Sequence, residues 1–208
     1  NVVANDIAFG PDARTLIISG PNTGGKSVTL KTMGVCALLA RAALPLPVDE
    51  GSSIPFFNSV FTDIGDRQSI EQDLSTFSAQ ILKLNSIIKK VDESSLVLVD
   101  EIVVGTDPSQ GAVLATAILE ELSKRQGYLI VTTHYEQLKT LAYEESLFTN
   151  ASVGFDLQRL IPTYRLYMGT PGSSSAIEIS RRLGLEESIC RRAEEMLSPS
   201  GDRFDRVI

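Results

Sequence analysis

No apolar run in this sequence approaches the ~18 residues that a helix needs to cross a bilayer. The chain opens at Asn1 without the basic and then apolar leader of a secreted protein, so we expect a cytoplasmic protein that makes no membrane contact. Cys36 and Cys190 are the only cysteines, and they lie far apart in helical patterns without a C-x-x-C pair. We therefore expect two reduced thiols rather than a disulfide.

Positive charge is scarce as well. The 19 lysines and arginines face 26 aspartates and glutamates, which leaves a net charge of −7. Because a surface that holds duplex DNA is usually basic, we expect any nucleic-acid contacts of a parent protein to lie mostly outside this segment. The chain of 208 residues suits one globular domain with at most a small appendage, and from its opening we expect a segment of a longer protein.

A glycine-rich stretch carries the clearest chemical pattern of the sequence. It follows a short apolar run, Leu16 to Ser19, precedes a helical pattern, and matches G-x-x-x-x-G-K-[ST]. The strand before it and the helix after it are the context that this motif requires, so the pattern favours nucleotide binding over a plain turn. We expect the binding set to comprise Gly20, Pro21, Asn22, Thr23, Gly24, Gly25, Lys26, Ser27 and Val28.

The residue types of this stretch suit a magnesium-bound polyphosphate. Glycines allow backbone N–H groups to curl around anionic oxygens, and the following helix points its positive end at the same anion. Lys26 places a point charge on the outer phosphates, and the Ser27 hydroxyl is a hard oxygen ligand for Mg²⁺. ATP and Mg²⁺ are therefore the expected substrate and cofactor.

Three further candidate residues follow apolar strands. Asp100 and Glu101 end the run Leu96 to Val99, and His134 follows the run that ends at Thr133. Because the carboxyl ends of parallel strands meet at one edge of a sheet, we expect all three near Lys26. Asp100 should hold the Mg²⁺ shell through a water, Glu101 should polarise the attacking water, and His134 should contact the γ-phosphate. The alternatives are an acidic pair that simply ends a strand and a structural histidine.

Two other segments allow more than one interpretation. Ser75 and Thr76 open a helical pattern, where they can cap the helix or bind a phosphate at its N-terminus. The segment 105–111 directly follows Glu101 and is either a loop that starts a helix, capped by Asp107 or Ser109, or a positioning and subunit-contact element.

Alternating strand and helix patterns predict an α/β fold with a mainly parallel sheet, flanking helices, a C-terminal β-hairpin and a helical appendage. We predict a first strand and turn over residues 1–15, a core over 1–168, an appendage over 169–197 and a polar tail over 198–208 with the composition of a disordered terminus. The predicted strands are 16–19, 60–64, 96–99, 128–132, 147–155 and 159–168. The predicted helices are 27–44, 75–91, 111–125, 135–143, 176–183 and 186–197.

The order of these motifs resembles the ATPase domain of the MutS family, within the wider ABC-type ATPases. The resemblance rests on the glycine-rich stretch, Leu74 to Phe77, the Asp-Glu strand, and Thr132 to Tyr135. Gly105 to Pro108 reads Gly-Thr-Asp-Pro, which looks like the second bacterial branch rather than the mismatch-repair branch. Members of that branch suppress recombination or act on stalled ribosomes.

The resemblance implies a head-to-tail homodimer with two nucleotides buried between the subunits. Ser75 would contact the γ-phosphate bound by the other subunit, Asn22 the γ-phosphate of its own, and the helix Glu186 to Leu197 would dock the neighbour. The family's adenine pocket uses the segment Val2 to Ile7, including Asn5 and Ile7, with Val2 standing where mismatch-repair members carry an aromatic residue. The resemblance also implies that full-length members carry a clamp-like helical region and often a C-terminal nuclease domain, and we expect neither within these 208 residues.

Val103 is a second departure, since the family usually has glycine at this place. Valine is stiff and does not adopt a positive φ cheaply, so we expect a less mobile loop or altered turnover. Two hypotheses stay open: an ATP-driven engine for clamping DNA or ribosomes, and a nucleotide-gated dimerisation module with little hydrolysis. A small-molecule kinase is a third, disfavoured because nothing here resembles an acceptor lid.

Overall fold

The computed structural model describes residues 2–21, 24–65, 76–172 and 175–197. The strands of this part are β1 (Thr15–Ser19), β2 (Ser59–Asp63), β3 (Ser95–Val99), β4 (Tyr128–Thr132), β5 (Phe148–Asp156) and β6 (Ile161–Met168). The helices are α1 (Lys26–Arg41), α2 (Thr76–Ile88), α3 (Pro108–Lys124), α4 (Glu136–Glu144), α5 (Ala176–Arg182) and α6 (Glu187–Leu197).

One six-stranded sheet organises these elements, in the order β2-β3-β4-β1-β5-β6. Every neighbouring pair from β2 to β5 is parallel, and β6 alone runs antiparallel, against β5. The prediction of an α/β fold with a mainly parallel sheet and flanking helices is confirmed. The predicted C-terminal hairpin exists as β5 and β6, but β5 pairs with β1 in register Thr15↔Phe148, so the hairpin extends the main sheet.

The core lies on both faces of this sheet, because successive residues of the buried strands point to opposite sides. Helix α1 covers one face, and α2, α3 and α4 cover the other. On the first face, a side chain at Gly34 of α1 would come within 2.9 Å of Leu98, so glycine permits the close approach of helix and sheet. Burial of each large apolar side chain stabilises the fold by about 1.5–3 kcal/mol.

Helix boundaries differ from the predicted ones by a few residues, for local reasons. Helix α1 ends at Arg41 rather than Leu44, since Ala43 adopts a φ of 53° that interrupts the helix. Helix α3 begins at Pro108 rather than Gly111, because the Asp107 carboxylate accepts a hydrogen bond from the Gln110 amide at 3.0 Å and caps the helix there.

The prediction of a strand within residues 1–15 is wrong, because the first strand begins only at Thr15. Residues 2–14 form no strand; instead the Asn5 side chain donates to the Tyr164 carbonyl at 2.8 Å and accepts from the Leu166 amide at 2.7 Å. One amide side chain thus occupies the hydrogen-bonding groups of β6 that a further strand would have used.

Helices α5 and α6 are held together largely by charge. The Arg181 guanidinium pairs with Glu178, Glu187 and Glu194, each at 2.8 Å, whereas Cys190 is the buried residue of the two helices. Cys36 and Cys190 are both free thiols, as predicted. No described helix is long and apolar enough to cross a membrane. The predicted boundary between core and appendage stays a prediction.

Candidate functional site

The glycine-rich turn joins the carboxyl end of β1 to α1. Gly20 has a φ of 121° and Gly25 a φ of 97°, conformations that side chains with a Cβ rarely adopt. A Cβ at Gly24 would also lie 2.4 Å from a methyl group of Val153, so the turn can be this tight only with glycine. Asn22 and Thr23 lie outside the described residues; Pro21, Ser27 and the half-exposed Val28 complete the predicted set.

Lys26 is buried at the first position of α1, with 3% of its surface exposed. Its ammonium donates a hydrogen bond to the Gly20 carbonyl at 2.6 Å, within the same turn. Burial lowers the pKa of Lys26 below its usual 10.5, and the negative charges of Glu101 and Asp100 act in the opposite direction. The sheet therefore brings the predicted cation and the two predicted carboxylates into one electrostatic environment.

Thr132 connects the two acidic residues, and the sequence did not single it out as functional. Its hydroxyl donates to the Asp100 carboxylate at 2.7 Å and accepts from the Glu101 amide, also at 2.7 Å. The contact exists because β3 and β4 are parallel neighbours, which places the last residue of β4 beside the end of β3. Thr132 thereby fixes the direction of the Asp100 carboxylate and one side of the Glu101 peptide.

The backbone after β3 is strained. Glu101 and Val103 have φ values of 52° and 55°, in the left-handed region that a β-branched residue avoids. The Val103 carbonyl accepts a hydrogen bond from the buried Tyr135 hydroxyl at 2.6 Å. A Cβ at Gly111 would lie 2.4 Å from that hydroxyl oxygen, so glycine leaves room for this bond. Val103 thus adopts a positive φ, which is costly for a β-branched residue, and the Tyr135 hydroxyl holds its carbonyl there.

His134 lies two residues beyond β4 and is exposed. Its ring centroid lies 4.6 Å from that of Tyr135, with the planes tilted by 44°. The preceding Thr133 amide donates to the Ile18 carbonyl of β1 at 3.1 Å, so the segment that carries His134 is tied to the strand that leads into the glycine-rich turn.

Tyr164 of β6 is the aromatic residue that the sequence interpretation missed. A Cβ at Gly25 would lie 2.9 Å from its ring, so the ring packs directly against the glycine-rich turn. The alternation of apolar and polar residues predicted the strand β6. It did not predict that the Tyr164 side of this strand packs against the glycine-rich turn. Among the residues predicted for a base pocket, Asn5 is hydrogen-bonded to β6, Ile7 packs against the core of the α1 face, and Val2 is 99% exposed.

A second loop also touches the turn. The Gly172 amide donates to the Ser19 hydroxyl at 2.7 Å, and the Gly172 carbonyl accepts from the buried Lys139 ammonium at 2.6 Å. A Cβ at Gly172 would lie 2.8 Å from the Gly20 backbone. The loop that leads toward α5 is therefore packed against the start of the glycine-rich turn.

The remaining predicted positions divide into two groups. Ser75 lies outside the described residues. Within 105–111, the capping interpretation of Asp107 is confirmed, and a subunit contact stays a prediction. The described residues hold no group of three or more His, Cys, Asp or Glu side chains that could bind a metal ion by themselves.

Comparison with known proteins agrees on one family. The family model "MutS domain V" matches residues 16–199. The chain is 51% identical over 207 residues to an endonuclease MutS2 of Bacillus velezensis, 50% identical over 206 residues to one of Enterococcus faecalis, and 49% identical over 207 residues to a putative endonuclease MutS2 of Bacillus subtilis. These matches cover 99–100% of the chain, which spans 26% of the length of the curated relatives it matches.

Proposed function

This chain belongs to the MutS domain V family, and on that premise we propose that it binds Mg²⁺–ATP and hydrolyses it to ADP and phosphate. The observation that carries the proposal is the convergence of a buried lysine, a glycine-rich turn and two carboxylates at one edge of the sheet. Lys26 is 3% exposed, and burial lowers its pKa while the negative charges of Glu101 and Asp100 both raise it. A buried ammonium in a glycine-rich turn is suited to phosphate oxygens.

In the proposed reaction, the Lys26 ammonium leaves the Gly20 carbonyl and binds the outer phosphates. The Ser27 hydroxyl and the Asp100 carboxylate are the residues that would hold Mg²⁺, which neutralises charge on the phosphates when it is bound. One carboxylate and one hydroxyl suffice, because Mg²⁺ keeps most of its shell from waters and substrate phosphates.

Glu101 is the residue we assign to the attacking water. Its carboxylate would orient the water by accepting a hydrogen bond from it. The water attacks the γ-phosphorus while the bond from that atom to the β–γ bridging oxygen breaks. Thr132 holds the Glu101 amide at 2.7 Å, so the carboxylate is carried on a fixed peptide. His134, at the end of the neighbouring strand β4, would contact the γ-phosphate.

Tyr164 supplies a face for the adenine base in this proposal. Its ring packs against Gly25, half of its surface is exposed, and its carbonyl is fixed by Asn5. An exposed aromatic ring beside a phosphate-binding turn can stack on a base. Val2 then has no stacking role, and Asn5 and Ile7 act by holding the segment beside that ring.

For the whole protein we propose a head-to-tail homodimer in which ATP turnover drives clamping of branched DNA or of stalled or collided ribosomes. Ser75 would complete the partner's site, and α6 would dock the partner. The relatives are named endonucleases, and a nuclease activity in a parent protein would belong to parts outside this chain, because the site described here suits phosphoanhydride hydrolysis.

Substitution of Glu101 tests the assignment. In the Glu101→Gln variant, phosphate release should fall by at least a hundredfold while the equilibrium affinity for ATP stays within a few-fold, because Gln keeps the shape but not the charge. Glu93→Gln, at the exposed turn before β3, is the matched control and should turn over ATP like the wild type. Undiminished release from the Glu101→Gln variant would reject the role of Glu101.

A dimerisation module with little hydrolysis is the second candidate, and the strained Val103 favours it. A buried valine fixed by Tyr135 makes the loop after Glu101 rigid. Phosphate release per subunit that rises with protein concentration supports the engine. ATP-induced dimers without phosphate release support the module.

A further inference from the structure

Gln80 of α2 is a polar side chain that is 4% exposed and directed at the end of β3. Its side-chain amide donates to the Asp63 carboxylate at 2.7 Å and to the Glu101 carbonyl at 3.4 Å. The Gln80 Oε1 atom is buried and has no hydrogen-bond partner within the described part of the chain. Burial of an unpaired acceptor costs free energy, so an apolar residue would suit packing better at this place.

Asp63 connects Gln80 to the backbone at the end of β3, because it contacts both Gln80 and Asp100. The Asp63 carbonyl accepts from the Asp100 amide at 2.9 Å, and its carboxylate also pairs with the Lys83 ammonium at 3.1 Å. Because Lys83 already neutralises Asp63, the carboxylate does not need Gln80 for its charge. The contact that Gln80 makes and Lys83 does not is the one to the Glu101 carbonyl.

The Glu101 peptide needs such support, because its φ of 52° is unfavourable for a residue with a side chain. Thr132 holds the amide side of Glu101, and Gln80 holds the carbonyl side. Between them, the two contacts restrict the rotation of the residue and hence the direction in which its carboxylate leaves the backbone.

We propose that Gln80 is a positioning residue for Glu101: its hydrogen bond to the Glu101 carbonyl keeps the catalytic carboxylate aimed at the attacking water. The inference rests on the proposed function, in which Glu101 acts on that water. It assigns no contact between Gln80 and the nucleotide. Loss of Gln80 should therefore slow the chemical step and leave ATP binding almost unchanged.

The test compares Gln80→Leu with Lys83→Ala in steady-state ATP hydrolysis by the purified chain. Gln80→Leu should lower kcat ten- to hundredfold, the effect typical of a group that orients a site residue, with KM within about twofold of the wild type. Lys83→Ala removes the other contact to Asp63 and should change kcat by less than about threefold. Wild-type kcat in Gln80→Leu, or equal losses in both variants, would overturn the inference.

Gln80→Glu tests whether this position needs a hydrogen-bond donor. Near neutral pH it places a second carboxylate against Asp63, with Lys83 as the nearby cation and Glu101 as the next acid. Protonation returns one donor to the position, so kcat of the variant relative to the wild type should rise as the pH falls toward 5. A ratio that does not change with pH contradicts the inference.

Crystal structures of the nucleotide-free wild type and Gln80→Leu chains give a readout that does not depend on turnover. Glu101 should leave its left-handed conformation in the variant, and an unchanged φ would overturn the positioning role. If the wild-type chain hydrolyses no ATP, the proposed function fails, while this structural comparison still decides whether Gln80 holds Glu101.

Discussion

The Tyr135 hydroxyl donates a 2.6 Å hydrogen bond to the carbonyl of Val103, a buried valine whose φ is 55°. A β-branched residue in this region carries a strain of about 1–3 kcal/mol. The hydrogen bond from Tyr135 therefore stabilises the loop after Glu101 in a conformation that a valine at position 103 disfavours. It also joins the residue that precedes α4 to the segment that follows β3.

Removal of the Tyr135 hydroxyl should destabilise the chain. Tyr135→Phe loses the hydrogen bond and leaves the buried Val103 carbonyl unpaired, so we expect the free energy of unfolding in urea to fall by about 1–3 kcal/mol. Tyr143→Phe removes a hydroxyl from a residue of α4 that is 70% exposed, and it should cost less than about 0.5 kcal/mol. Equal costs in the two variants would mean that the Val103 contact contributes nothing.

The same pair predicts a dependence on alkaline pH. Burial raises the pKa of Tyr135 above 10.0, with the Asp107 charge as the second cause. The unfolded chain therefore releases this proton first, and the stability that Tyr135 contributes is present below pH 10 and falls above it. The difference in unfolding free energy between wild type and Tyr135→Phe should shrink above pH 10; a constant difference would argue against a buried phenol.

Thr132→Val should slow ATP hydrolysis without unfolding the chain. The variant keeps the shape of the side chain but removes the hydroxyl that joins Asp100 and Glu101, so we expect a ten- to hundredfold lower kcat. Thr15→Val changes an equally buried threonine at the amino end of β1, where the hydroxyl meets Ser123 at 3.1 Å. Thr15→Val should leave kcat within twofold of the wild type. Comparable losses of kcat in the two variants would mean that Thr132 acts through the stability of the fold rather than through Asp100 and Glu101.

Tyr164→Ala should weaken ATP more than inorganic triphosphate. If the ring stacks on the base, its loss should raise the Kd for ATP by about five- to twentyfold, which corresponds to roughly 1–2 kcal/mol. Tyr167→Ala is the matched control, since Tyr167 is 51% exposed on the same strand and its ring packs against Gly154. Calorimetric titrations of both ligands distinguish a base contact from a general disturbance of β6.

Arg181→Gln should loosen the α5–α6 pair, because the guanidinium of α5 pairs with two carboxylates of α6, those of Glu187 and Glu194. Amide hydrogen exchange in α5 should become several-fold faster, and in Arg192→Gln, which loses one exposed pair with Glu195, it should barely change. Hydrogen bonds from Arg181 and then Arg182 keep the pKa of Glu178 below its usual 4.5. The stabilisation of α5 by the Glu178 carboxylate is therefore complete above pH 4.5 and lost as the pH falls through the lower folded pKa. Protection factors in α5, corrected for the intrinsic pH dependence of exchange, that stay constant in acid would contradict this.

The sequence was sufficient to predict most helices and strands, and to select residues whose role depends on neighbours close in the chain. The apolar runs predicted β1, β3 and β4 because buried parallel strands need apolar residues on both faces. Lys26 could be selected because glycines and a hydroxyl residue surround it at fixed spacing. Asp107 could be interpreted as a cap because its place before a helix gives its carboxylate an amide to accept from.

Partners that depend on strand register could not be found in this way. Thr132 meets Glu101 across 31 residues of chain, and Gln80 meets it across 21. Tyr164 reaches Gly25 only because β5 pairs with β1 and carries β6 beside the turn. The sequence predicted a strand before β1, whereas the structure attaches this segment to β6 through a single side chain, that of Asn5.

Calorimetric titration of the folded wild-type chain with Mg²⁺–ATP tests the central claim, alongside Lys26→Met and the exposed Lys89→Met as its control. The account predicts saturable heat with a stoichiometry of one nucleotide per chain in wild type and Lys89→Met, and at least a hundredfold weaker binding in Lys26→Met, which lacks the cation for the outer phosphates. No heat from the wild type, or equal affinity in all three chains, would contradict it.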